Sequence, residues 1–478
     1  MRKFPSLSAT SWLTTKTVVS QIFAILLFGI QAPILGPRAF GLISIVLVFV
    51  GFCEQVLQDA TAESMISIRR IESAHFDTMN TLNVILAVVC GAIVFFGANA
   101  GARIFAAPEL APILRCMSVL PLISSLAAVP TAYTKREMQF QPLAVRSMVS
   151  LFVGGIVGLI LTLAGYGVWA LVWQAIVGRS TATVVLWLAV PFRLKFDHSA
   201  VCLKELLHFA VPVLLSKTMS WATGQFPRLI FGLYWGPTEL GLFGLAARLC
   251  DILLEVTLVP RYVVARVELR AFAADRSGLT DAFRERLLNM SVMSFPLLIG
   301  GAAVAPTLFH AWLDSRWLDG IVPAELMMLM VAPYVTHYSV GAVLLALNFQ
   351  RSEAVSSAAQ TLLTLIVVLA FAPLGLVPAT AAFAARPLVL LPLAAVLLQS
   401  RCGIPARVLF DAQRPALIAS IVMGVSVTLL RLGLEPMLKS IVLLPVLVAA
   451  GAMVYAMVIA LLVPEFARRL AGRFGIRS

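Results

Sequence analysis

The sequence predicts an all-α integral membrane protein of about fourteen transmembrane helices, built as two six-helix lobes related by a parallel repeat, plus a C-terminal helix pair. Composition is the first reason. Of 478 residues, 60% are hydrophobic and only 12% charged, with a mean hydropathy of +0.96, more apolar surface than one aqueous core can hide. Run length is the second. Inside lipid the backbone must satisfy itself within helices or closed barrels, and continuous apolar runs near 20 residues are a helix signal, not a barrel alternation. The third is a turn that recurs: LGPRAFGL at Leu35–Leu42 is answered by WGPTELGL at Trp235–Leu242.

The first helix is expected over 12–35. Arg2 and Lys3 precede it as they would a secretory signal, but Lys16 delays the apolar run and no small-residue cleavage site follows, so the segment is expected to be retained. Gly36-Pro37 then turns the chain into a second helix over 39–62. Apolar runs place the next four over 80–104, 111–133, 147–165 and 168–191, and six more over 205–235, 239–262, 287–309, 323–346, 354–373 and 376–398. A last pair is expected over 414–434 and 440–464.

The connections alternate in character. GPRAFG, AGYG, WGPTE and APLGLVP are short and nearly uncharged, whereas those around 63–79, 134–146, 192–204 and 263–286 are longer and basic. Of 36 lysines and arginines, 25 fall on the side of the N-terminus and 6 on the other, with five inside helices. The positive-inside rule then puts both ends in the cytoplasm. A net charge of +13 is mostly this orientation code, helped by attraction to anionic lipid, and calls for no nucleic acid. Trp169, Trp235, Trp312 and Trp317 fall near the outer boundary and Trp12 and Trp187 near the inner one, as an aromatic belt. The six cysteines are scattered and suggest neither a disulfide framework nor a metal site.

The repeat keeps more than one landmark in order. RIFAAPELAPILRCMSVLP before the fourth helix is answered by WLDGIVPAELMMLMVAP before the tenth, LAGYGVWA by FAPLGLVPA, and MQFQ near 140 by LNFQ near 348. Six helices separate equivalent turns, an even number, so the repeat is parallel. The lobes are expected at 10–192 and 204–399, with the terminal pair at 413–464.

The GP turn after helix one, the APEL and SVLP segments, KREMQFQPLAVRS after the fourth helix and AGYGVWALVWQ entering the sixth together resemble Wzx-type oligosaccharide flippases. These form the polysaccharide-transporter branch of the multidrug, oligosaccharidyl-lipid and polysaccharide exporter superfamily. The resemblance covers most of residues 10–400 and is strongest before 195. It implies a multi-pass protein of the bacterial cytoplasmic membrane that moves an undecaprenyl-diphosphate-linked oligosaccharide to the outer leaflet for surface polysaccharide biosynthesis. Alternating access between lobes, driven by an H+ or Na+ gradient or the membrane potential, and no cofactor are expected with it. The lumen varies greatly within the family, so the glycan does not carry over.

Charge inside helices is expensive and marks candidate sites. Arg179 and Arg386 each lie about ten residues inward of an outer turn, one per lobe, and can offer planar donor forks to diphosphate oxygens. The alternative is scaffold pairing with Glu54 or Asp251. Lys217 and Arg228 stand eleven residues apart, about three turns, and form a cationic stripe on a helix broken by Pro212, Gly224 and Pro227. Snorkelling is the competing account. Arg248, Asp251 and Glu255 share one face at i, i+3 and i+7, either as a self-paired ion cluster or as lumen lining. In PYVTHYS, Tyr334, His337 and Tyr338 share a face near mid-membrane, where His337 is a candidate switch or part of a satisfied polar patch. Glu54, Asp251, Glu255 and His337 are thus the candidates for ion coupling.

Enzyme readings find little in the chain: no P-loop, HExxH pair or nucleophile elbow is present, and the connections are short. A membrane-embedded polymerase or ligase would need a long outer loop. A drug/cation antiporter of the same superfamily is the closer rival, and should carry acidic residues where its cation binds, whereas five basic and four acidic side chains stand in these helix interiors.

Overall fold

The computed structural model describes residues 6–68, 71–189, 199–273 and 276–464, except the side chains of 6–19, 21, 56–64, 66–67, 140, 209, 212, 215–217, 219–220, 223 and 331. Among the described residues there are helices and turns and no strand. Ten helices among the described residues are long and apolar enough to cross a membrane, or eleven if one bent pair counts as a single span.

The chain divides into two compact units, Met1–Gly241 and Leu242–Ser478. The first unit opens with α1 (Ser6–Ser67), which is two helices joined at Gly36, φ 72° and ψ 169°. That combination belongs to glycine alone, so the Gly-Pro pair sets the break. α2 (Ser73–Ile104) follows, then the bent pair α3 (Leu110–Met117) and α4 (Leu120–Arg136). Pro130 inside α4 lacks an N–H and so frees the carbonyl of Leu126, which accepts from the Trp187 indole at 3.0 Å. At the far end of α4 the Arg136 guanidinium donates to the carbonyls of Met65 and Ile68, closing the C-terminus of α1. Beneath that cap Met65, Ile68, Met79, Val129, Ala132 and Leu206 form a buried cluster.

α5 (Phe140–Leu163) and α6 (Val168–Ala189) pack through glycines: a Cβ on Gly154 would lie 2.9 Å from the Gly178 Cα and 2.8 Å from the Gln174 carbonyl. α7 (Ala200–Leu269) repeats the architecture of α1, with a break at Gly236, φ 76° and ψ −178°. Within the first unit the two breaks meet. A Cβ built on Gly41 would lie 1.6 Å from the Pro237 carbonyl oxygen, and one on Gly241 2.0 Å from that of Pro37. The contact is reciprocal, glycine to proline in both directions, as a two-fold relation between copies of one turn requires.

The second unit takes the rest of α7, then α8 (Leu279–Trp312), the bent pair α9 (Ile321–Leu329) and α10 (Val331–Ala346), and α11 (Gln350–Phe371). α12 (Leu376–Val389) and the short α13 (Leu391–Leu397) form one broken span, followed by α14 (Arg407–Leu434) and α15 (Ser440–Leu462). The last two pack on α8: a Cβ on Gly424 would meet Ile299 at 3.0 Å, and Tyr455 donates to the Val292 carbonyl at 2.7 Å. Counting each broken pair as one span and α1 and α7 as two each gives the fourteen helices expected.

Backbone repeats accompany the sequence repeats. Two residues beyond the ends of α4 and α10 stands a residue with positive φ, Met138 at 56° and Asn348 at 63°, each with the next amide bonded back five residues, Gln139 to Thr134 and Phe349 to Leu344. Helix ends at the uncharged turns match expectation within about three residues, but several basic ends run further: α2 begins at 73, α5 at 140, α8 at 279 and α14 at 407. Trp317, expected in the interfacial belt, is instead fully buried.

Candidate functional site

In the first unit a cavity of about 650 Å³ lies against α5 and α6. α5 supplies Arg146, Ser147, Ser150 and Gly154, spaced to share one face, and α6 supplies Gln174, Gly178 and Arg179. The glycine contact between the helices places both arginines on the same space. α1 adds Glu54, which grips Arg179 at both carboxylate oxygens: Nε donates to Oε1 at 2.8 Å and Nη2 to Oε2 at 3.0 Å. Ser124 donates a third bond to Glu54 Oε1 at 2.7 Å.

This pairing is the scaffold alternative for Arg179, and it coexists with exposure. The Arg179 side chain is 51% exposed and that of Glu54 14%. Glu54 takes two of the five guanidinium donors and leaves three directed elsewhere. Arg146 spends one donor on the Thr131 hydroxyl, 2.8 Å away. Two arginines against one carboxylate leave the cavity cationic, with serine hydroxyls and the Gln174 amide completing a polar lining. Sequence reasoning missed Arg146, because the charged stretch before 147 reads as a connection; α5 begins at 140 and carries it inside.

The second unit has a cavity of about 290 Å³ lined by Tyr262 of α7, Tyr334, His337, Tyr338 and Gly341 of α10, Glu353, Ser357 and Gln360 of α11, and Arg386, Pro387 and Leu390 at the break between α12 and α13. The break explains its polarity. Pro387 frees the Phe383 carbonyl, which accepts from Arg386 Nη1 at 2.8 Å, while the Pro387 carbonyl accepts from His337 Nε2 at 2.9 Å. Arg386 also lies 3.6 Å above the Phe383 ring. His337 is therefore anchored to backbone, as the satisfied-patch account expects, and yet borders a cavity.

The two cavities occupy corresponding places on their helices. Ser147 and Ser150 stand seven and ten positions beyond the first residue of α5, and Ser357 and Gln360 stand seven and ten beyond that of α11. Arg179 and Arg386 stand eleven and ten positions into α6 and α12.

Arg228, Arg248, Asp251 and Glu255 line neither cavity. Arg248, Asp251 and Glu255 share an exposed face of α7. Arg228 is half-buried and donates to Gln225 Oε1 at 2.9 Å. The Lys217 side chain falls outside the described residues. Among the described residues no three His, Cys, Asp or Glu side chains gather as metal ligands would.

Residues 30–322 match the family described as polysaccharide biosynthesis protein. The chain is 25% identical over 288 residues to the succinoglycan biosynthesis transport protein ExoT of Rhizobium meliloti, covering 60% of this chain and 58% of that protein. It is 21% identical over 335 residues to the lipopolysaccharide biosynthesis protein WzxC of Escherichia coli, covering 68% and 66%. Each match spans less than two thirds of the relative's length. The lipid II flippase MurJ in an inward closed conformation superposes with a TM-score of 0.76 at 13% identity, over 95% of this chain and 99% of that one. An inward-facing multidrug resistance transporter of the MATE family and MOP superfamily gives 0.56 at 15% identity, over 84% and 96%. These likenesses establish a membrane-transporter fold, and with the match over more than half its length the chain belongs to the polysaccharide biosynthesis protein family.

Proposed function

We propose that the protein flips a polyprenyl-diphosphate-linked oligosaccharide across the bacterial cytoplasmic membrane for surface polysaccharide biosynthesis, with its termini cytoplasmic. The observation that carries this reading is the α5–α6 cavity, where Arg146 and Arg179 face one space against a single carboxylate. A diphosphate accepts hydrogen bonds at every oxygen and suits guanidinium forks. Glu54 occupies two of the Arg179 donors, and the other three stay available for the ligand. The polyprenyl tail stays in lipid, so only the head needs a polar path.

Access would alternate between lobes 10–192 and 204–399, coupled to an ion gradient or the membrane potential. An elementary charge moved through 100 mV is worth about 2.3 kcal/mol. Asp251, Glu255 and His337 are the coupling candidates, and Lys217, Arg228 and Arg248 line the route in this reading. A cation/drug antiporter would place its acidic groups where the arginines stand.

Translocation of lipid-linked oligosaccharide in proteoliposomes tests the proposal. Export per folded molecule should rank Arg179, then Arg179→Lys, which keeps charge but loses the fork, then Arg179→Ala. Equal export by all three, or altered cationic-drug efflux with normal glycan export, refutes the diphosphate role.

A further inference from the structure

The second cavity differs from the first in chemistry while matching it in position. Building on the flippase reading, we infer that the cavity between α7, α10, α11 and α12 is a carbohydrate subsite that receives one sugar ring of the lipid-linked glycan. The diphosphate binds separately, in the α5–α6 cavity.

Size restricts the occupant. About 290 Å³ lies at the lower edge of small-molecule pockets, room for a ring and not for a prenyl chain or a folded oligosaccharide. The lining mixes donors with acceptors: Arg386 only donates, Glu353 only accepts, and Gln360, Ser357 and the tyrosine hydroxyls do both. Sugar hydroxyls also donate and accept, so this set complements a ring carrying several of them. It does not complement a diphosphate, which offers no donor and would stand beside the Glu353 carboxylate.

Aromatic faces supply the apolar half of carbohydrate recognition. The Tyr262 and Tyr338 rings meet edge to face, centroids 5.8 Å apart at 89°, so one presents its edge to the other's face and their positions are mutually fixed. Arg386 is fixed as well, by the Phe383 carbonyl and ring, and offers its remaining donors as a planar set.

Gly341 places the acceptor. A Cβ there would lie 3.2 Å from both carboxylate oxygens of Glu353, so the glycine leaves the space the carboxylate occupies. Ser357 donates to the same carboxylate at 3.4 Å. Glu353 and Ser357 lie one turn apart on α11, and Gln360 continues that face.

The test compares two lipids bound by the full-length protein in nanodiscs: lipid-linked oligosaccharide extracted from the producing bacterium, and undecaprenyl diphosphate, which has the same tail and head but no sugar. The parent should prefer the glycosylated lipid by tenfold or more. Gln360→Ala, Tyr338→Phe and Gly341→Ala should each cut that preference about fivefold, the worth of roughly one hydrogen bond. Affinity for undecaprenyl diphosphate should stay as it is. Tyr338→Phe keeps the ring and Gly341→Ala removes no group, so at least these two separate lost recognition from lost folding. Arg146→Ala should weaken both lipids alike. If the cavity variants weaken both lipids equally, the cavity holds the diphosphate; if the preference persists in all three, it is off the substrate's path. Either overturns the assignment. A parent that binds neither lipid refutes the flippase reading, a failure distinct from a parent that binds both with an unmoved preference.

Discussion

Replacing Gly41 with alanine should destabilise the protein severely for its size, because the methyl group would be set into backbone. The Cβ would lie 1.6 Å from the Pro237 carbonyl oxygen and 2.5 Å from its carbon. Ordinary contact needs more than about 3 Å, so the turns must part by about 1.5 Å. No rotamer relieves the clash, since the obstruction is main chain. Overpacking of this kind costs about 1 to 3 kcal/mol, and a backbone obstruction points to the upper end. Gly241→Ala meets the Pro37 oxygen at 2.0 Å and should cost nearly as much. Because both variants part the same two turns, the double variant should lose much less than the sum. Gly244→Ala is the control. It sits in α7 with nothing within 4 Å of its Cβ, so it should be neutral or gain up to about 1 kcal/mol of helix propensity. Thermal unfolding of the purified protein in detergent, followed by far-UV circular dichroism, provides the measurement. A Gly41→Ala protein as stable as the parent, or strict additivity in the double variant, would refute the interlock.

Two further outcomes are expected. Glu54→Gln removes the carboxylate that occupies Arg179 while keeping its shape. With Arg179 half-exposed, the lost pair should cost only about 1 kcal/mol, while affinity for undecaprenyl diphosphate should rise, as isothermal titration would show; a fall would mean that Glu54 is needed to aim the fork. For orientation, Ser277→Cys and Ser315→Cys stand at opposite ends of α8, which is about 50 Å long. In a cysteine-depleted background, a membrane-impermeant maleimide applied to intact cells should label 315 and spare 277, and the reverse would invert the topology.

What the sequence displayed, and what it hid, follow from one physical difference. Uncharged outer turns end helices sharply, since glycine and proline stop them by backbone geometry, and Gly36, Gly236 and Gly375 stand where the turn motifs put them. At basic ends, a drop in hydropathy marks the edge of the hydrocarbon and not the end of the helix, which continues into the headgroups. Arg146 and Glu353 were hidden for this reason. Read by hydropathy, they precede helices at 147 and 354; in the structure they belong to α5 from 140 and α11 from 350, and each borders a cavity. Trp317 shows the converse: its place beside an outer turn suggests the interface, but the structure buries it fully. The Arg179–Glu54 pair was foreseen as an alternative, since a half-membrane arginine needs a partner, but spacing alone could not reveal that a paired guanidinium still faces a cavity.

The internal repeat separates scaffold from chemistry in a way neither half does alone. Several features recur: the breaks at Gly36 and Gly236, the positive φ at Met138 and Asn348, and polar residues seven and ten positions into α5 and α11. The glycine breaks meet a constraint that any copy of the fold must meet, because a turn with φ near 75° and ψ near 180° admits only glycine. The arginine of α6 and α12 recurs as well, but the other charged groups around it do not. α5 contributes Arg146 six positions in and α11 contributes Glu353 three positions in, and the first cavity has a glutamate gripping its arginine where the second sets its arginine on a phenylalanine ring and a carbonyl freed by proline. Since the same frame holds both sets, geometry does not force the difference. On the proposed reading, the non-repeating residues are where the two halves differ in what they bind: an anion beside paired arginines in one, and hydroxyls among tyrosines, a carboxylate and an amide in the other.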